Sequence, residues 1–415
     1  MNLIIFEDEF TGDLYPFSLL RPNFDLKCGM ISLKERILRE LPVSNVVLWI
    51  RDHFVPVTKD DNPGFNVNQL FENEDDFIFI NGTLLLKRGY KDIILNNGNT
   101  IFKNGDRILA VNIKYSDTRN LKDKLDKNRI IDSDSRILED LAVKEVEFDY
   151  ISYWWDLIHH NSGMLKEDFD FSNNAGTILG EVYPNVTLIN EKNIYIGNGA
   201  KVKPGAVLDA EDGPVFIDDD AEIFPNAAVI GPAYIGKRTK IKAGAKIYEG
   251  TSIGEVCKVG GEVKDTIIHS YSNKQHDGFL GHAYLGQWVN LGADTNNSDL
   301  KNNYSNVKVD LNGRKIDTGS MFVGLAMGDH SKSGINAMFN TGTIAGICCN
   351  IYGAGLPPKH IPSFSWGSAD GFVEYEIEKA LQTERAVMQR RNIELSDNME
   401  KLLRTIFNET EKDRR

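Results

Sequence analysis

The sequence contains no hydrophobic run long enough to span a bilayer, which takes about 20 consecutive apolar residues. Its first residues, MNLIIFEDEF, lack the basic segment and the long apolar run of a signal peptide. Together these absences predict a cytoplasmic protein without membrane contact.

Positive charge is also scarce. The 415 residues include 47 Lys and Arg against 60 Asp and Glu, which gives a net charge of -13. Because such a chain repels phosphate groups overall, nonspecific nucleic-acid binding is disfavoured. A local basic pocket for a phosphorylated substrate remains compatible with this balance.

Cysteine is rare, and its positions show no metal-binding spacing: Cys28, Cys257, Cys348 and Cys349. Two of the four are adjacent in the chain, so reduced thiols in the cytoplasm are the simplest interpretation. Hydrophobic residues make up 41% of the sequence, which is ample for folded cores. The length predicts two or three domains.

What the sequence has in quantity is a repeat of six residues. Aliphatic side chains occupy every sixth position from 217 to 259: Ile217, Ile223, Val229, Ile235, Ile241, Ile247, Ile253 and Val259. A small or compact residue stands four positions after each of them. A period of six suits neither an α-helix nor a simple strand, and it predicts a solenoid with three short strands to a triangular coil.

The repeat is interrupted in places where we expect loops. A short insertion at 211–213 precedes the regular region, the rhythm loosens from 266 to 278, and a polar stretch runs from 296 to 314. The six-residue period then returns for a last set of coils, with Ile335, Thr341 and Ile347 at the inward positions. Loops that leave a solenoid are where function usually concentrates.

The first part of the chain has an α/β pattern. Compact apolar runs at 3–6, 46–50, 77–80 and 108–113 predict strands, and Ser32 followed by Glu35 predicts a capping box that opens a helix. A helical pattern from about Ile130 to Leu157 predicts a connector. The tail from 372 to 411 is charged and amphipathic, with Asp397 and Glu400 as a capping pair between two helices.

The densest polar region lies between Lys274 and Tyr304, and we regard His276 as its best candidate for chemistry. A histidine beside a lysine, in a loop that leaves the solenoid, can accept a proton near neutral pH. A metal site is the alternative, because His276 and His330 are three eighteen-residue coils apart. We rank that alternative lower because the loop at 296–314 would break the register.

In the first domain, Arg21 and Lys27 flank an extended loop after the first strand. Basic residues there could hold the phosphates of a nucleotide. No GxGxxG or GxxxxGK[ST] pattern is present, so solvated surface charge is an equally good account.

Three stretches carry a resemblance to a known family: LYPFSLLRPNFDLKCG (14–29), KVGGEVKDTIIHSYSNKQHDGFLGHAYLGQWVNLGADTNNSDLKNNY (258–304) and FVGLAMGDHSKSGINAMFNTGT (322–343). The chain resembles the bifunctional UDP-N-acetylglucosamine pyrophosphorylase/glucosamine-1-phosphate acetyltransferase family, as a divergent GlmU-like branch. The resemblance implies a Rossmann-like nucleotidyltransferase domain over 1–150, a helical connector over 151–175, a left-handed parallel β-helix that trimerises over 176–362, and a helical tail over 363–415.

The resemblance also implies roles for single residues of the β-helix. His276 matches the general base of acetyl transfer, and Asn290, in the family's VN-[LI]-GA motif, matches a position of the sugar-phosphate pocket. In the predicted mechanism, backbone amides and Asn290 would also steady the oxyanion. Asn303 and Tyr304 match positions of the sugar-phosphate pocket. Lys264, or its neighbour Lys274, matches a lysine that holds phosphate. Phe279 stands where the better-studied enzymes have a tyrosine, so one contact is lost or supplied elsewhere.

In the first domain the match is looser. Arg21-Pro22 stands where the family has a glycine-rich loop and a signature lysine, and Asn81-Gly82 stands where a metal-binding Gly-Asp is expected. An amide binds Mg²⁺ less well than a carboxylate because it brings no charge. Arg21, Lys27 and Asn81 are therefore the candidate nucleotide-binding residues.

These observations predict an enzyme of nucleotide-sugar synthesis. The β-helix would N-acetylate glucosamine 1-phosphate with acetyl-CoA, and the first domain would transfer a uridylyl or other nucleotidyl group to the sugar 1-phosphate with Mg²⁺. One alternative is an acyltransferase whose nucleotide-binding domain is degenerate. The other is a non-catalytic or metal-binding β-helix scaffold.

Overall fold

The computed structural model describes residues 1–73, 75–114 and 141–414. A mixed sheet comes first, followed by one long helix, a solenoid of stacked parallel strands, and two final helices. No helix in these ranges is long and apolar enough to cross a membrane. All four cysteines are buried and form no disulfide.

The N-terminal region contains these strands in its described part: β1 (Asn2–Phe6), β2 (Lys27–Cys28), β3 (Ile31–Ser32), β4 (Asn45–Trp49), β5 (Asn66–Val67), β6 (Phe77–Asn81), β7 (Thr100–Asn104), β8 (Arg107–Ile113) and β9 (Ala142–Glu145). The main sheet has the order β5-β4-β1-β6-β8-β7-β9, and β2 pairs with β3 as a separate hairpin. From β5 to β6 the strands are parallel, so their carboxyl ends meet at one edge. The four predicted strands are confirmed.

The helices of the described residues are α1 (Leu33–Glu40), α2 (Val55–Asp61), α3 (Arg88–Leu95), α4 (Trp154–Ser172), α5 (Ile377–Gln389) and α6 (Asp397–Glu409). Short 3-10 turns lie at Glu9–Leu14, Phe17–Leu19, Asn23–Asp25, Asp52–Phe54, Glu191–Asn193 and Glu411–Arg414. The capping box of α1 is confirmed, because Ser32 Oγ accepts from the Glu35 N–H at 3.2 Å and Glu35 Oε2 accepts from the Ser32 N–H at 2.7 Å.

Two helix predictions need correction. The part of the predicted connector helix at 130–140 lies outside the described residues, but β9 occupies Ala142–Glu145 and α4 begins only at Trp154. At the start of α4, the Asp156 carboxylate accepts from the N–H groups of Ser152 and Tyr153. At α6 the N-cap is Ser396 and not Asp397, since the Ser396 hydroxyl accepts from the Met399 N–H.

The solenoid has three faces of stacked parallel strands. Face 1 begins with Glu181–Val182, Lys201–Val202, Glu222–Ile223, Lys240–Ile241, Lys258–Val259 and Asn273–Lys274 and resumes at Lys332–Ser333, Asn350–Ile351 and Ser365–Ser368, where Gly371–Glu374 closes the sheet. Face 2 comprises Thr187–Ile189, Val207–Asp209, Ala228–Ile230, Lys246–Ile247, Glu262–Lys264, Phe279–Gly281, Asn296–Asn297 and Met338–Phe339. Face 3 comprises Ile194–Ile196, Val215–Ile217, Ala233–Ile235, Thr251–Ile253, Ile267–Ile268, Tyr284–Leu285, Leu325–Met327, Thr343–Ala345 and His360–Ile361.

This arrangement is typical of a left-handed parallel β-helix, and the predicted fold class is confirmed. All eight aliphatic residues of the six-residue repeat are fully buried inside the coils. Because side chains alternate along a strand, the residue before each of them points outward.

Between 266 and 278 the chain does not leave the solenoid, contrary to the sequence prediction. Ile235 pairs with Ile253, one full repeat later, whereas Ile253 pairs with Ile268 at a shorter spacing. The turns of this coil are shorter, so the strands stay in register although the six-residue period is lost. His276 consequently lies in a tight turn between face 1 and face 2.

The polar stretch after 296 is only partly a loop. Asn296–Asn297 still pairs with Met338–Phe339 in the stack, and the chain then leaves it to form a hairpin of Lys308–Leu311 with Arg314–Asp317. This hairpin reaches the N-terminal domain, where the Asn312 amide donates to the Gly12 carbonyl at 3.1 Å. Farther along the chain, the Ile335 side chain is 69% exposed, so the prediction from the six-residue period that it points into the solenoid is wrong.

Helix α4 joins the two domains along face 3. Its Leu165 and Phe169 pack with the outward aromatic residues of that face, Tyr195, Phe216 and Tyr234. Its fully buried Asn161 accepts from the Gly29 N–H at 2.7 Å and donates to the Gly250 carbonyl at 2.8 Å. Face 3 is therefore covered by the chain itself.

A buried ion pair forms a second link between the domains. Arg21 Nη2 lies 2.8 Å from Asp329 Oδ1, and the Asp329 side chain is 1% exposed. Asp329 belongs to the solenoid, 308 residues after Arg21. Removing one partner of such a pair leaves an uncompensated buried charge.

We therefore expect Arg21→Met to destabilise the protein. Loss of the guanidinium should lower the free energy of unfolding by about 3–5 kcal/mol, because the Asp329 carboxylate stays buried without its partner. Denaturant titration followed by tryptophan fluorescence measures the change, and the double variant Arg21→Met/Asp329→Asn should recover part of it. Lys87→Met is the matched control, since it breaks a pair with Asp149 in which both side chains are partly exposed, and it should cost about 1 kcal/mol or less. Equal losses in Arg21→Met and Lys87→Met would contradict the assignment.

Candidate functional site

Outward side chains of face 1 form a ladder on consecutive coils. Lys258 pairs with Asn273, Asn273 with Asn290, and Asn290 with Lys332. Helix α5 lies across this ladder, and Arg391, two residues after the helix ends, donates to Asn273 Oδ1 at 2.9 Å. Asn290, a predicted catalytic residue, is therefore placed between the solenoid and the C-terminal helix.

An aromatic ladder borders the same face. Tyr271 stacks on Trp288 with ring centroids 4.4 Å apart, and Trp288 stacks on His330 at 6.4 Å, both with interplanar angles of 8°. His330 Nδ1 lies 2.6 Å from Glu384 Oε2, and Lys332 Nζ lies 2.7 Å from Glu384 Oε1. Burial alone would raise the pKa of Glu384, but these two partners outweigh it and the pKa is lowered. This buried triad fastens α5 to the solenoid.

Between the ladder and α5 lies a pocket of about 320 Å³. Its lining residues come from the solenoid, from α5 and from the two residues that follow α5: Lys258, Tyr271, Asn273, Gln275, Trp288, Asn290, Lys332, Thr383, Val387, Arg390 and Arg391. Four of them are cations, and none of the lining residues carries a carboxylate. The pKa of Lys258 is lowered by burial first and then by the positive charge of Arg391 and its neighbours.

His276 lies next to this pocket in the chain, directly after the lining residue Gln275. Its carbonyl accepts from the Lys274 ammonium at 3.0 Å, which holds the turn. The imidazole is exposed and has no hydrogen-bond partner among the described residues. The ring is thus free to meet a substrate, and nothing in the described part of the chain fixes its tautomer.

Lys274 points into the solenoid. It pairs in register with the inward residue Val259, and its side chain is 1% exposed. The ammonium donates to the carbonyls of Gly260 and His276 at 3.3 and 3.0 Å. Burial lowers its pKa to about 8, against an opposing effect of nearby carboxylates. This position favours a structural role over the predicted contact with substrate phosphate.

The remaining predicted substrate residues lie on or beyond face 2, and none lines the pocket. Lys264 forms an ion pair with Glu249 at 2.7 Å, and the backbone N–H of Phe279 donates to Asn296 Oδ1 at 2.7 Å. Asn303 Oδ1 accepts from the Ser305 hydroxyl at 2.9 Å, while the Tyr304 side chain is exposed. The structure does not bring these residues together with Asn290.

The predicted nucleotide-binding residues of the first domain have partners within the chain. The Arg21 guanidinium pairs with Asp329, so its position does not support a free phosphate ligand. Lys27 contacts the solenoid through its backbone, whose N–H donates to the Tyr284 hydroxyl at 2.9 Å. Of the two, only the half-buried side chain of Lys27 has no hydrogen bond or ion pair among the described residues.

Asn81 does not fit the predicted contact with Mg²⁺ or nucleotide. It is fully buried, its amide donates to Asp8 Oδ2 at 2.7 Å, and its oxygen accepts from the N–H and the hydroxyl of Thr83 at 2.9 and 2.7 Å. Asp8 itself pairs with Arg107 at 3.4 Å, and burial raises the pKa of its carboxyl. A hard cation prefers unshared oxygen ligands, which this packing does not offer.

The metal alternative in the solenoid loses its geometric basis. His330 stacks above Trp288 and Tyr271 before face 1, whereas His276 follows face 1, so the two lie at different corners. Among the residues that the structure describes, no three His, Cys, Asp or Glu side chains are grouped to hold a metal ion.

Comparison with known proteins agrees with this two-part architecture. The model of the family described as "Sugar nucleotidyl transferase" matches residues 3–175. A bifunctional sugar-1-phosphate nucleotidylyltransferase/acetyltransferase from Sulfurisphaera tokodaii is 27% identical over 358 residues, covering 84% of this chain and 74% of that protein. The bifunctional protein GlmU from Acidithiobacillus ferrooxidans is 40% identical over 117 residues, covering 28% of this chain and 24% of that protein.

Among solved structures, UDP-N-acetylglucosamine acyltransferase from Campylobacter jejuni aligns with 54% of this chain and 95% of its own, at 16% identity and a TM-score of 0.32. A TM-score of this size carries no inference about function.

Residues 3–175 are therefore similar to sugar nucleotidyl transferases, and most of the chain is similar to a transferase that combines a nucleotidylyltransferase with an acetyltransferase.

Sequence reasoning missed most of the pocket. Arg390 and Arg391 were not singled out, because adjacent arginines in a charged tail are usually solvated. Lys258 could have been found, since Lys240 and Lys258 stand at the same position of neighbouring coils. The irregular spacing of later coils concealed that Asn290 and Lys332 continue this row.

Lys274 generates a pH prediction. Burial lowers its pKa from the ordinary lysine value of 10.5 to about 8 in the folded protein, so the unfolded chain binds more protons between these pH values. The contribution of Lys274 to the free energy of unfolding should therefore rise by about 3 kcal/mol as the pH increases from about 8 to 10.5. Denaturant unfolding of wild type and Lys274→Met at pH 7.5 and pH 10.5 should give a difference that grows with pH in favour of wild type. Lys246→Met, which removes an exposed lysine of face 2, corrects for lost surface charge. If the free energies of unfolding of wild type and Lys274→Met changed equally with pH, the buried position of Lys274 would be contradicted.

Proposed function

We propose that the β-helix of this protein catalyses acetyl-CoA-dependent N-acetylation of glucosamine 1-phosphate. The observation that carries the proposal is the position of Asn290 and Gln275 in the wall of a cationic pocket, with His276 in the adjoining turn. It is supported by the acetyltransferase named in the relative from Sulfurisphaera tokodaii, whose similarity extends over 84% of this chain.

In this mechanism the amino group of the sugar attacks the thioester carbonyl of acetyl-CoA. His276 accepts the proton that the nitrogen loses, the general-base role that histidine most often takes in enzymes. The Asn290 amide donates to the oxyanion of the tetrahedral intermediate. The carbon–sulfur bond then breaks, and the thiolate takes up the proton from His276.

We propose for the N-terminal domain a nucleotidyl transfer from UTP, or another nucleoside triphosphate, to a sugar 1-phosphate. The family match over residues 3–175 supports this activity. The second candidate is an acyltransferase with a degenerate nucleotide-binding domain. It is favoured by the internal pairing of Arg21 and Asn81, which leaves neither side chain available as a ligand in the present arrangement.

His276→Ala tests the acetyl transfer. Without the base, kcat should fall by about 10²–10⁴-fold, while binding of acetyl-CoA should change little because the pocket is intact. Thiol release from acetyl-CoA with glucosamine 1-phosphate measures the rate. His282→Ala is the control, since His282 is held by Asp299 at 2.8 Å away from the pocket. An active His276→Ala would overturn the assignment.

Pyrophosphate release from UTP should be unaffected by His276→Ala, and absence of this release in wild type would favour the acyltransferase-only candidate.

We further propose that the protein is a homotrimer. Face 3 is covered by α4 and face 1 in part by α5, whereas face 2 exposes outward residues such as Lys246, Asn296 and Met338. A neighbouring subunit on face 2 would also supply the partner that the His276 ring lacks within the chain. Closed cyclic symmetry is the usual solution for such a contact.

Light scattering of the purified protein should therefore give three times the mass of the chain. Met338→Glu should lower this mass, because a charge would be buried in the contact, while Val373→Glu, at an exposed residue near the end of the solenoid, should not. A monomer at all working concentrations would exclude the trimer and the shared site.

A further inference from the structure

A turn of the N-terminal domain lies at the edge of the sheet where a ligand is expected. The carboxyl ends of β1, β4 and β6 lie side by side, with Phe6 paired to Trp49 and to Asn81. In open α/β sheets, ligands bind outside this edge. The chain leaves β1 and enters the 3-10 turn Glu9–Leu14, so this turn borders the expected site.

The N-terminal domain itself holds the start of this turn. Asp8 Oδ1 accepts from the Phe10 N–H at 3.1 Å, and Asp8 Oδ2 accepts from the Asn81 amide at 2.7 Å. The Arg107 guanidinium lies over the Phe10 ring, 4.3 Å from its centroid. These contacts fix the first residues of the turn to the sheet.

The solenoid holds the other end of the turn. The Asn312 amide donates to the Gly12 carbonyl at 3.1 Å, and the Arg314 guanidinium forms an ion pair with the Asp13 carboxylate. Both donors belong to the hairpin of Lys308–Leu311 with Arg314–Asp317. A Cβ added to Gly12 would meet no described atom within 4 Å. The outer side of the turn therefore stays open to a ligand while its position is fixed.

The hairpin is a firm support for these two contacts. Its strands pair over four residues each, and Val309 and Leu311 are fully buried in the same hydrophobic core as Leu14 and Phe17 of the N-terminal domain. The solenoid also contacts later parts of the same segment, through the pairs Tyr15–His360, Phe17–Tyr284, Arg21–Asp329 and Lys27–Tyr284. Residues 12–27 are thus placed by the solenoid as well as by their own domain.

The pair of Arg314 with Asp13 also changes the charge at this edge. A nucleoside triphosphate is strongly anionic, and an unpaired carboxylate beside it would repel it. The Arg314 guanidinium offsets the charge of Asp13. Because the Arg314 side chain is 59% exposed, the pair contributes little to global stability, so its value to the protein lies in what it does locally.

We propose that Arg314 and Asn312 of the solenoid are positioning residues for nucleotidyl transfer in the N-terminal domain. They hold the turn Glu9–Leu14 in place at the ligand edge, and Arg314 neutralises Asp13 beside the triphosphate. The inference rests on the nucleotidyl transfer proposed above. Displacing a positioning group by about 1 Å costs on the order of 10²-fold in rate, so contacts of this kind matter although they touch no reacting atom.

The test is the rate of pyrophosphate release by the full chain from UTP and N-acetylglucosamine 1-phosphate, the product of the proposed acetyl transfer. Arg314→Gln should lower kcat/KM by about 10-fold or more, and Asn312→Ala should lower it in the same direction. Arg314→Lys keeps the charge and should retain more of the rate than Arg314→Gln. Thiol release from acetyl-CoA and the thermal midpoint should match wild type in each variant.

The KM for UTP separates positioning from a general loss of structure. It should rise in Arg314→Gln, because Asp13 is then left unpaired beside the triphosphate. In the double variant Asp13→Asn/Arg314→Gln neither charge remains, so the KM for UTP should return part of the way to the wild-type value. A merely structural role predicts no such recovery, and its absence would contradict the proposal.

Lys315→Gln is the matched control, because Lys315 is the next residue of the hairpin and its side chain points to the other side of the strand. Equal rates in Arg314→Gln and Lys315→Gln would overturn the inference and leave nucleotidyl transfer standing. Equal loss of pyrophosphate and thiol release in Arg314→Gln would also overturn it. Wild-type protein that neither binds UTP nor releases pyrophosphate would overturn the proposed nucleotidyl transfer and, with it, the positioning role.

Discussion

Hydrogen bonding between consecutive coils is the constraint on which the rest of this structure depends. Each short strand is paired in register with the strands above and below it, and the aliphatic residues of the repeat fill the interior. Because neighbouring coils are spaced as paired strands, about 4.8 Å apart, outward side chains at equivalent positions form continuous rows. The row from Lys258 to Lys332 is one of these, and it forms the floor of the cationic pocket.

The other elements are arranged by which face of the solenoid they cover. Aromatic outward residues on face 3 require an apolar partner, and α4 provides it through Leu165 and Phe169. Face 1 carries a polar row in its later coils, and the contacts of α5 and of Arg391 with it include hydrogen bonds and a buried charge triad. A helix held in this way leaves a gap beside the row, and that gap is the pocket.

The N-terminal domain uses its charged residues differently. At the carboxyl ends of the parallel strands, Glu7 pairs with Arg51 at 3.0 Å and Asp8 contacts both Asn81 and Arg107. Ligands of open α/β sheets usually bind at this edge. Here the polar groups satisfy one another, because buried charges without partners are costly. The two modules of the chain thus differ in how many ligating groups they leave free.

The sequence by itself determined the repeated architecture. The period of six identified the solenoid because each inward position must be apolar, and Ser32 with Glu35 identified the start of α1 because a capping box is a local interaction. Local rules of this kind act over a few residues. These local rules did not predict the orientation of Lys274. The turns of its coil are shorter, so its strand stays paired in register with the inward residue Val259 and the lysine side chain points into the solenoid.

Only the tertiary structure decided the partners of Arg21, Asn81 and the pocket residues. Asp329 follows Arg21 by 308 positions, and Arg391 follows Asn273 by 118. No period or motif connects residues at such distances along the chain. Their contacts form when α4, α5 and the N-terminal sheet pack on the faces of the solenoid. Packing brings surfaces together whatever their distance along the chain, so local sequence rules do not predict these contacts.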